Sequence, residues 1–161
     1  MSVKIRTATQ SDLPVILQYI HDLAEYEEAP DEVELSLEDL RDSLFGPNPQ
    51  VFCLISEQDN KTTGFAVWHL NYSTWLGKHG IYLEDLYVDP KFRSQGHGKA
   101  LLQKLAQICI EKGYKRLQWW VLDWNESAID FYKSIGAQPM DQWTVFRVSG
   151  SSLRKLATEG N

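Results

Sequence analysis

Short alternating runs and longer stripes at helical spacing divide this chain between strands and helices. Val3 to Thr7 alternates and predicts a short first strand. Thr9-Gln10-Ser11-Asp12 has capping-box spacing and opens a helix with apolar positions Leu13, Ile16, Leu17, Ile20, Leu23 and Ala24. The stripe fades into an acidic loop, Glu25 to Glu32. A second capping box, Ser36 to Asp39, starts a shorter helix through Leu40 and Leu44, ended by Gly46-Pro47-Asn48-Pro49. Val51 to Ser56 and Thr63 to Leu70 read as a hairpin about the turn Asp59-Asn60-Lys61. Asn71 to Gly80 is an excursion carrying Trp75, and Ile81 to Val88 is the next strand. A glycine-containing loop follows, then a helix with Leu101, Leu102, Leu105, Ala106, Cys109 and Ile110 on one stripe, closed by Lys112-Gly113. Arg116 to Leu122 predicts a buried strand, and Asn125 caps a helix through Ala128, Ile129, Phe131 and Tyr132 that stops at Gly136. Thr144 to Val148 predicts a last strand, and Leu153 to Leu156 a helical tail.

Helices interleaved with strands give an α/β class with a mixed sheet, part of it antiparallel because of the early hairpin. At 161 residues the chain is expected to be a single domain, 1–161, with a core of its own.

Charge adds an asymmetry to this picture. The net charge of −6 argues against a nucleic-acid surface. Residues 1–50 hold eleven acids and three bases, against eleven and thirteen in the rest. An acidic N-terminal third suits a cationic substrate, or simply coats two solvated helix faces. No apolar run approaches the roughly 20 residues that span a bilayer, and the first residues show no signal pattern, so no membrane partner and a cytoplasmic location are expected. Cys53 and Cys109 lie in apolar runs and read as buried thiols. His21, His69 and His79 lack ligand spacing, so no metal is expected.

The loop after the central strand carries the most chemistry. A strand ending in a glycine loop that feeds a helix leaves unpaired N–H groups for an anion. The dinucleotide spacing fails, because Gly96-His97-Gly98 is followed at the third position by Leu101. The nucleoside-triphosphate spacing fails as well, since Ala100 follows Gly98-Lys99 and Arg93 holds the first glycine's place. What fits is R-x-x-G-x-G over Arg93 to Gly98, preceded by Val88-Asp89-Pro90. It resembles the acetyl-CoA pyrophosphate loop of the GCN5-related N-acetyltransferases. Tyr72-Ser73-Thr74-Trp75, Tyr82 to Val88, Val121 to Glu126 and Phe131-Tyr132-Lys133 with Gly136-Ala137-Gln138 extend the likeness. Together they resemble the diamine acetyltransferase family, nearest to its thialysine-acetylating type.

That resemblance implies a central mixed, mostly antiparallel sheet flanked by helices, with two parallel strands splayed to hold acetyl-CoA. It also implies a homodimer and transfer of acetyl to a primary amine of a thialysine- or lysine-like amino acid or a di- or polyamine. Acetylation of protein lysines or N-termini, and a non-catalytic acyl-CoA sensor, are the alternatives. Cofactor contacts fall on the backbone at Leu86, Tyr87 and Val88, on the loop Arg93, Ser94, Gln95, Gly96, His97, Gly98 and Lys99, and on Asn125. His97 either contacts phosphate or faces solvent, the latter being preferred. Tyr132 is the expected acid for the leaving thiolate and Glu84 the expected base and amine binder. Tyr26, Glu27, Trp75 and Asp85 complete the amine pocket. Strict alternation sends Glu84 and Asp85 to opposite faces of their strand. Acids within a buried strand are costly unless paired or functional.

Overall fold

The computed structural model describes residues 2–159; Met1, Gly160 and Asn161 of the expected domain lie outside the described residues. The chain forms two compact units, Met1–Trp120 and Val121–Asn161.

In the first unit the elements run β1 (Lys4–Thr7), α1 (Leu13–Tyr26), α2 (Leu37–Phe45), β2 (Val51–Gln58), β3 (Lys61–Ser73), β4 (Lys78–Val88), α3 (His97–Lys112) and β5 (Leu117–Gln118). The sheet order is β1-β2-β3-β4-β5, antiparallel throughout except for the parallel pair β4/β5. The expected mixed, mostly antiparallel sheet is therefore found. Side chains alternate across it and supply two apolar faces. Cys53, Ile55, Phe65, Val67 and Tyr87 pack with Leu13, Ile16, Tyr19, Leu40 and Leu44 of α1 and α2. Leu101, Leu102, Leu105 and Cys109 are the buried stripe of α3, which packs on β2, β3 and β4. Arg6 ties β1 to its surroundings: its guanidinium bonds both oxygens of Asp12 at 2.7 and 2.8 Å and Glu57 at 2.6 Å. The Asp12 carboxylate also accepts the Thr9 N–H at 2.7 Å, completing the first capping box.

Three expectations need correction here. The excursion Asn71–Gly80 is a continuation of the β3–β4 hairpin, whose ladder runs out to Ser73 and Lys78. The strand Arg116–Leu122 shrinks to Leu117–Gln118, because its apolar run meets β4 only at Ile81 and Tyr82. No strand forms over Thr144–Val148. A strand exists only where a neighbour takes its hydrogen bonds, and the 121–161 unit offers that segment none among the described residues.

The second unit holds α4 (Glu126–Ser134) and α5 (Gly150–Thr158). Asn125 caps α4 as expected, its side chain accepting from the Ala128 N–H at 3.4 Å. Gly136, at φ +91°, ends the helix while the Ala137 N–H returns to the Tyr132 carbonyl at 3.0 Å.

Candidate active site

The far part of β4 is paired on one edge only among the described residues. Beyond Ile81 and Tyr82 it parts from β5, so Leu83 to Val88 pair with β3 alone and no strand takes their other edge. An open edge inside a sheet presents backbone N–H and C=O groups to an extended ligand.

Leu83 lies opposite Trp68 and Asp85 opposite Val67, which leaves Glu84 as an extra residue in β4. This bulge shifts the phase of the strand. Phe65, Val67 and His69 share one face of β3, and their partners are Tyr87, Asp85 and Tyr82. Glu84 meets that same face through His69 Nε2, 3.4 Å from its carboxylate. Glu84 and Asp85 thus lie on one side of the sheet, not on opposite sides.

The two acids differ in environment. Glu84 reaches solvent, its side chain 56% exposed. The Asp85 carboxyl is pushed up to about 7, by burial first and then by the charges of Glu84 and Glu27. Burial likewise raises Glu27, which caps the C-terminal end of α1. The charges of Glu84 and Glu27 thus both act on Asp85, a local field suited to a cation. Trp75 stands apart. It is 83% exposed in the turn between Ser73 and Lys78. Six residues of strand, roughly 20 Å at 3.3 Å each, separate that turn from Glu84.

At the other end of β4 the chain enters the glycine loop. Ser94 (φ +61°) and Gly96 (φ +89°) both occupy the left-handed region, a conformation from which backbone anion nests are built. The helical N–H bonds begin with Ala100 to the Gly96 carbonyl at 2.9 Å, so the N–H groups of His97, Gly98 and Lys99 precede the ladder. A Cβ built on Gly98 meets only Val88 Cγ2, at 3.9 Å, and one on Gly96 meets nothing within 4 Å. Glycine costs helix stability, and no protein atom demands it at 98. The vacant shell over these N–H groups fits a phosphate.

Arg93 turns its side chain away from the loop. Its Nε donates to the Val88 carbonyl at 2.9 Å, and its guanidinium lies 5.1 Å from the Tyr26 ring centroid and 5.5 Å from that of Tyr87. Tyr26 and Glu27, at the end of α1, are thereby tied to the end of β4. Sequence reasoning missed this clamp, and it also misplaced His97. His97 is 1% exposed, with Nδ1 2.8 Å from Thr63 Oγ1 and Nε2 3.0 Å from Gln58 Oε1. Its ring neither faces solvent nor has a nitrogen left for phosphate.

Asn125 and Tyr132 belong to the second unit. Asn125 is the cap of α4, and Tyr132 follows Phe131, with 5.6 Å between the ring centroids. Among the described residues no group of three or more His, Cys, Asp or Glu is arranged to hold a metal ion. No helix of the described residues is long and apolar enough to cross a membrane.

Comparison with known proteins agrees with this architecture. The thialysine N-epsilon-acetyltransferase of Sus scrofa is 41% identical over 97% of this chain and 98% of its own length. The spermidine/spermine N(1)-acetyltransferase-like protein 1 of Homo sapiens is 36% identical over 97% of this chain, which spans 24% of that larger protein. Among solved structures, an integron cassette protein from the mobile metagenome of V. cholerae superposes with a TM-score of 0.80, at 30% identity and 99% coverage of both chains. Residues 16–137, from α1 through the glycine loop to just past α4, match the Acetyltransferase (GNAT) family. With its fold, its glycine loop and these relatives in agreement, the chain belongs to the GNAT acetyltransferase family.

Proposed function

We propose that this protein transfers acetyl from acetyl-CoA to a primary amine of a small aliphatic molecule, with thialysine- or lysine-like amino acids and di- or polyamines as the substrate class. The observation that carries this reading is the β4 bulge. It gathers Glu84 and Asp85 on one face, within the electrostatic reach of Glu27, on the strand that leads into the anion loop. An alkyl ammonium is the natural occupant of such a field, and the Tyr26 ring adds an aromatic surface.

Acetyl-CoA supplies an acyl group activated on sulfur. The chain supplies the rest. N–H groups of Ser94 to Lys99 hold the pyrophosphate, the open edge at Leu86, Tyr87 and Val88 lines the pantetheine arm and polarises the carbonyl, and Asn125 bonds the arm. Glu27 and Asp85 hold the ammonium. A free alkyl ammonium has a pKa of about 10.4, so Glu84 must take its proton, directly or through water, before nitrogen attacks. As the carbon–sulfur bond breaks, Tyr132 gives its proton to the departing thiolate.

A cytoplasmic setting and a homodimer belong to the same proposal. Two buried free thiols, Cys53 and Cys109, suit a reducing compartment, and the exposed Trp75 suits a contact with a second copy rather than this protomer's acids. The test is a thiol-release screen with thialysine, lysine, ornithine, putrescine and spermidine beside a basic peptide. Release dependent on a small amine is expected; release with the peptide alone would overturn the substrate class. Tyr132→Phe is expected to lower turnover with acetyl-CoA binding retained, and equal turnover would remove Tyr132 as the acid.

A further inference from the structure

The loop's only buried side chain is a histidine between two glycines, held by a polar chain that the proposed mechanism does not use. Gln58 Oε1 can only accept, so His97 Nε2 carries the proton and Nδ1 accepts from the Thr63 hydroxyl. Thr63 Oγ1 in turn lies 2.9 Å from Ser56 Oγ, which donates to it. Ser56 and Thr63 are fully buried. A second bulge makes this possible. Ser56 pairs with Gly64 and Glu57 with Thr62, so Thr63 has no opposite residue and its hydroxyl is re-aimed at the histidine. The Phe92 ring meets the imidazole at 5.8 Å, edge to face.

We infer that His97 is a positioning residue for the cofactor: its two hydrogen bonds fasten the first residue of α3 to the β2–β3 hairpin and so fix the direction of the loop's free N–H groups. Gly96 and Gly98 flank it, and an untethered loop with two glycines would lose conformational entropy on binding pyrophosphate. The tether removes that loss beforehand, which raises affinity for the anion through preorganisation. This rests on the acetyl-CoA reading of the loop.

Three variants test it. His97→Leu fills the space without either hydrogen bond, Thr63→Val removes only the hydroxyl, and His97→Gln keeps a donor and an acceptor. CoA affinity by calorimetry, KM for acetyl-CoA and KM for the amine are the readouts. His97→Leu and Thr63→Val are each expected to bind CoA about tenfold more weakly with the amine KM unchanged, and His97→Gln to recover most of the loss. Thr63→Val carries the test if His97→Leu fails to fold. CoA affinity equal to wild type in Thr63→Val, or a matching rise in the amine KM, would overturn the positioning role. Absence of CoA binding by the wild-type protein would instead overturn the acetyl-CoA reading, and the inference with it.

Discussion

Gly98→Ala separates stability from binding, because the two effects have opposite signs. The added Cβ meets nothing closer than Val88 Cγ2 at 3.9 Å, and Gly98 lies within α3. Alanine should then stabilise the ligand-free protein. The full helix-interior difference is about 1 kcal/mol, and roughly half of that is reasonable in the first turn. For a chain of this size, about 0.5 kcal/mol raises Tm by about 1–2 °C. The same methyl group enters the shell where pyrophosphate oxygens would accept N–H bonds. Losing one charge-assisted hydrogen bond costs about 1.5–3 kcal/mol, or about 10- to 150-fold in CoA affinity. Thermal unfolding without ligand and calorimetric titration with CoA read the two effects independently. A fall of several degrees in Tm would show that the shell is not open. Unchanged CoA affinity would show that the glycine is not reserved for a phosphate.

Other expectations follow from the same geometry. Gly64→Ala places a Cβ 2.5 Å from the Tyr87 carbonyl oxygen and 3.1 Å from Val88 Cα, both backbone, so β3 and β4 must part; a loss of about 2–3 kcal/mol in chemical unfolding is expected. Asp12→Ala removes the bidentate partner of Arg6 and the acceptor for Thr9, at a cost of about 2–4 kcal/mol. Hydrogen bonds from Arg6 hold the Asp12 carboxyl below its usual range. Its contribution is therefore present above the unfolded value and lost as pH falls through the folded one, so the variant should lose part of the wild-type acid sensitivity. Asp85 has the opposite sign. With its folded pKa raised to about 7, the folded ligand-free state binds the extra proton, and stability declines as pH rises from about 4 to about 7. Asp85→Asn should flatten that decline in unfolding titrations, and an unchanged slope would refute the assignment.

Much of this architecture is legible in local patterns. Ser36 and Asp39 form their capping box, Asn125 caps α4, and Gly113 ends α3 at φ +73°. These signals act within one turn of chain. The features that escaped depend on a second strand. Strict alternation cannot register a bulge, although Leu83 and Leu86, three apart and both turned inward by their partners, break the period of two. His97 was legible in a different way. Its spacing to Leu101 and Leu105 continues the buried stripe of α3 by one turn, and all three are buried. The lengths of β5 and of the Thr144–Val148 segment were not legible, because strand propensity says nothing of whether a neighbour is present.

The bulge at Glu84 works as a dislocation in the sheet. Below it, even-numbered Tyr82 shares the face of its β3 partner His69; above it, odd-numbered Asp85 and Tyr87 share that face with Val67 and Phe65. A point substitution on β4 changes one group, but deletion of one residue at the dislocation would bring the two halves of the strand back into step and exchange the faces of every position on one side. Either the two acids would leave the face they share or Tyr87, which packs in the α1 core, would. Length in this strand is therefore constrained more tightly than identity, and the proposed amine face is written in the count of residues between Tyr82 and Tyr87 as much as in their chemistry.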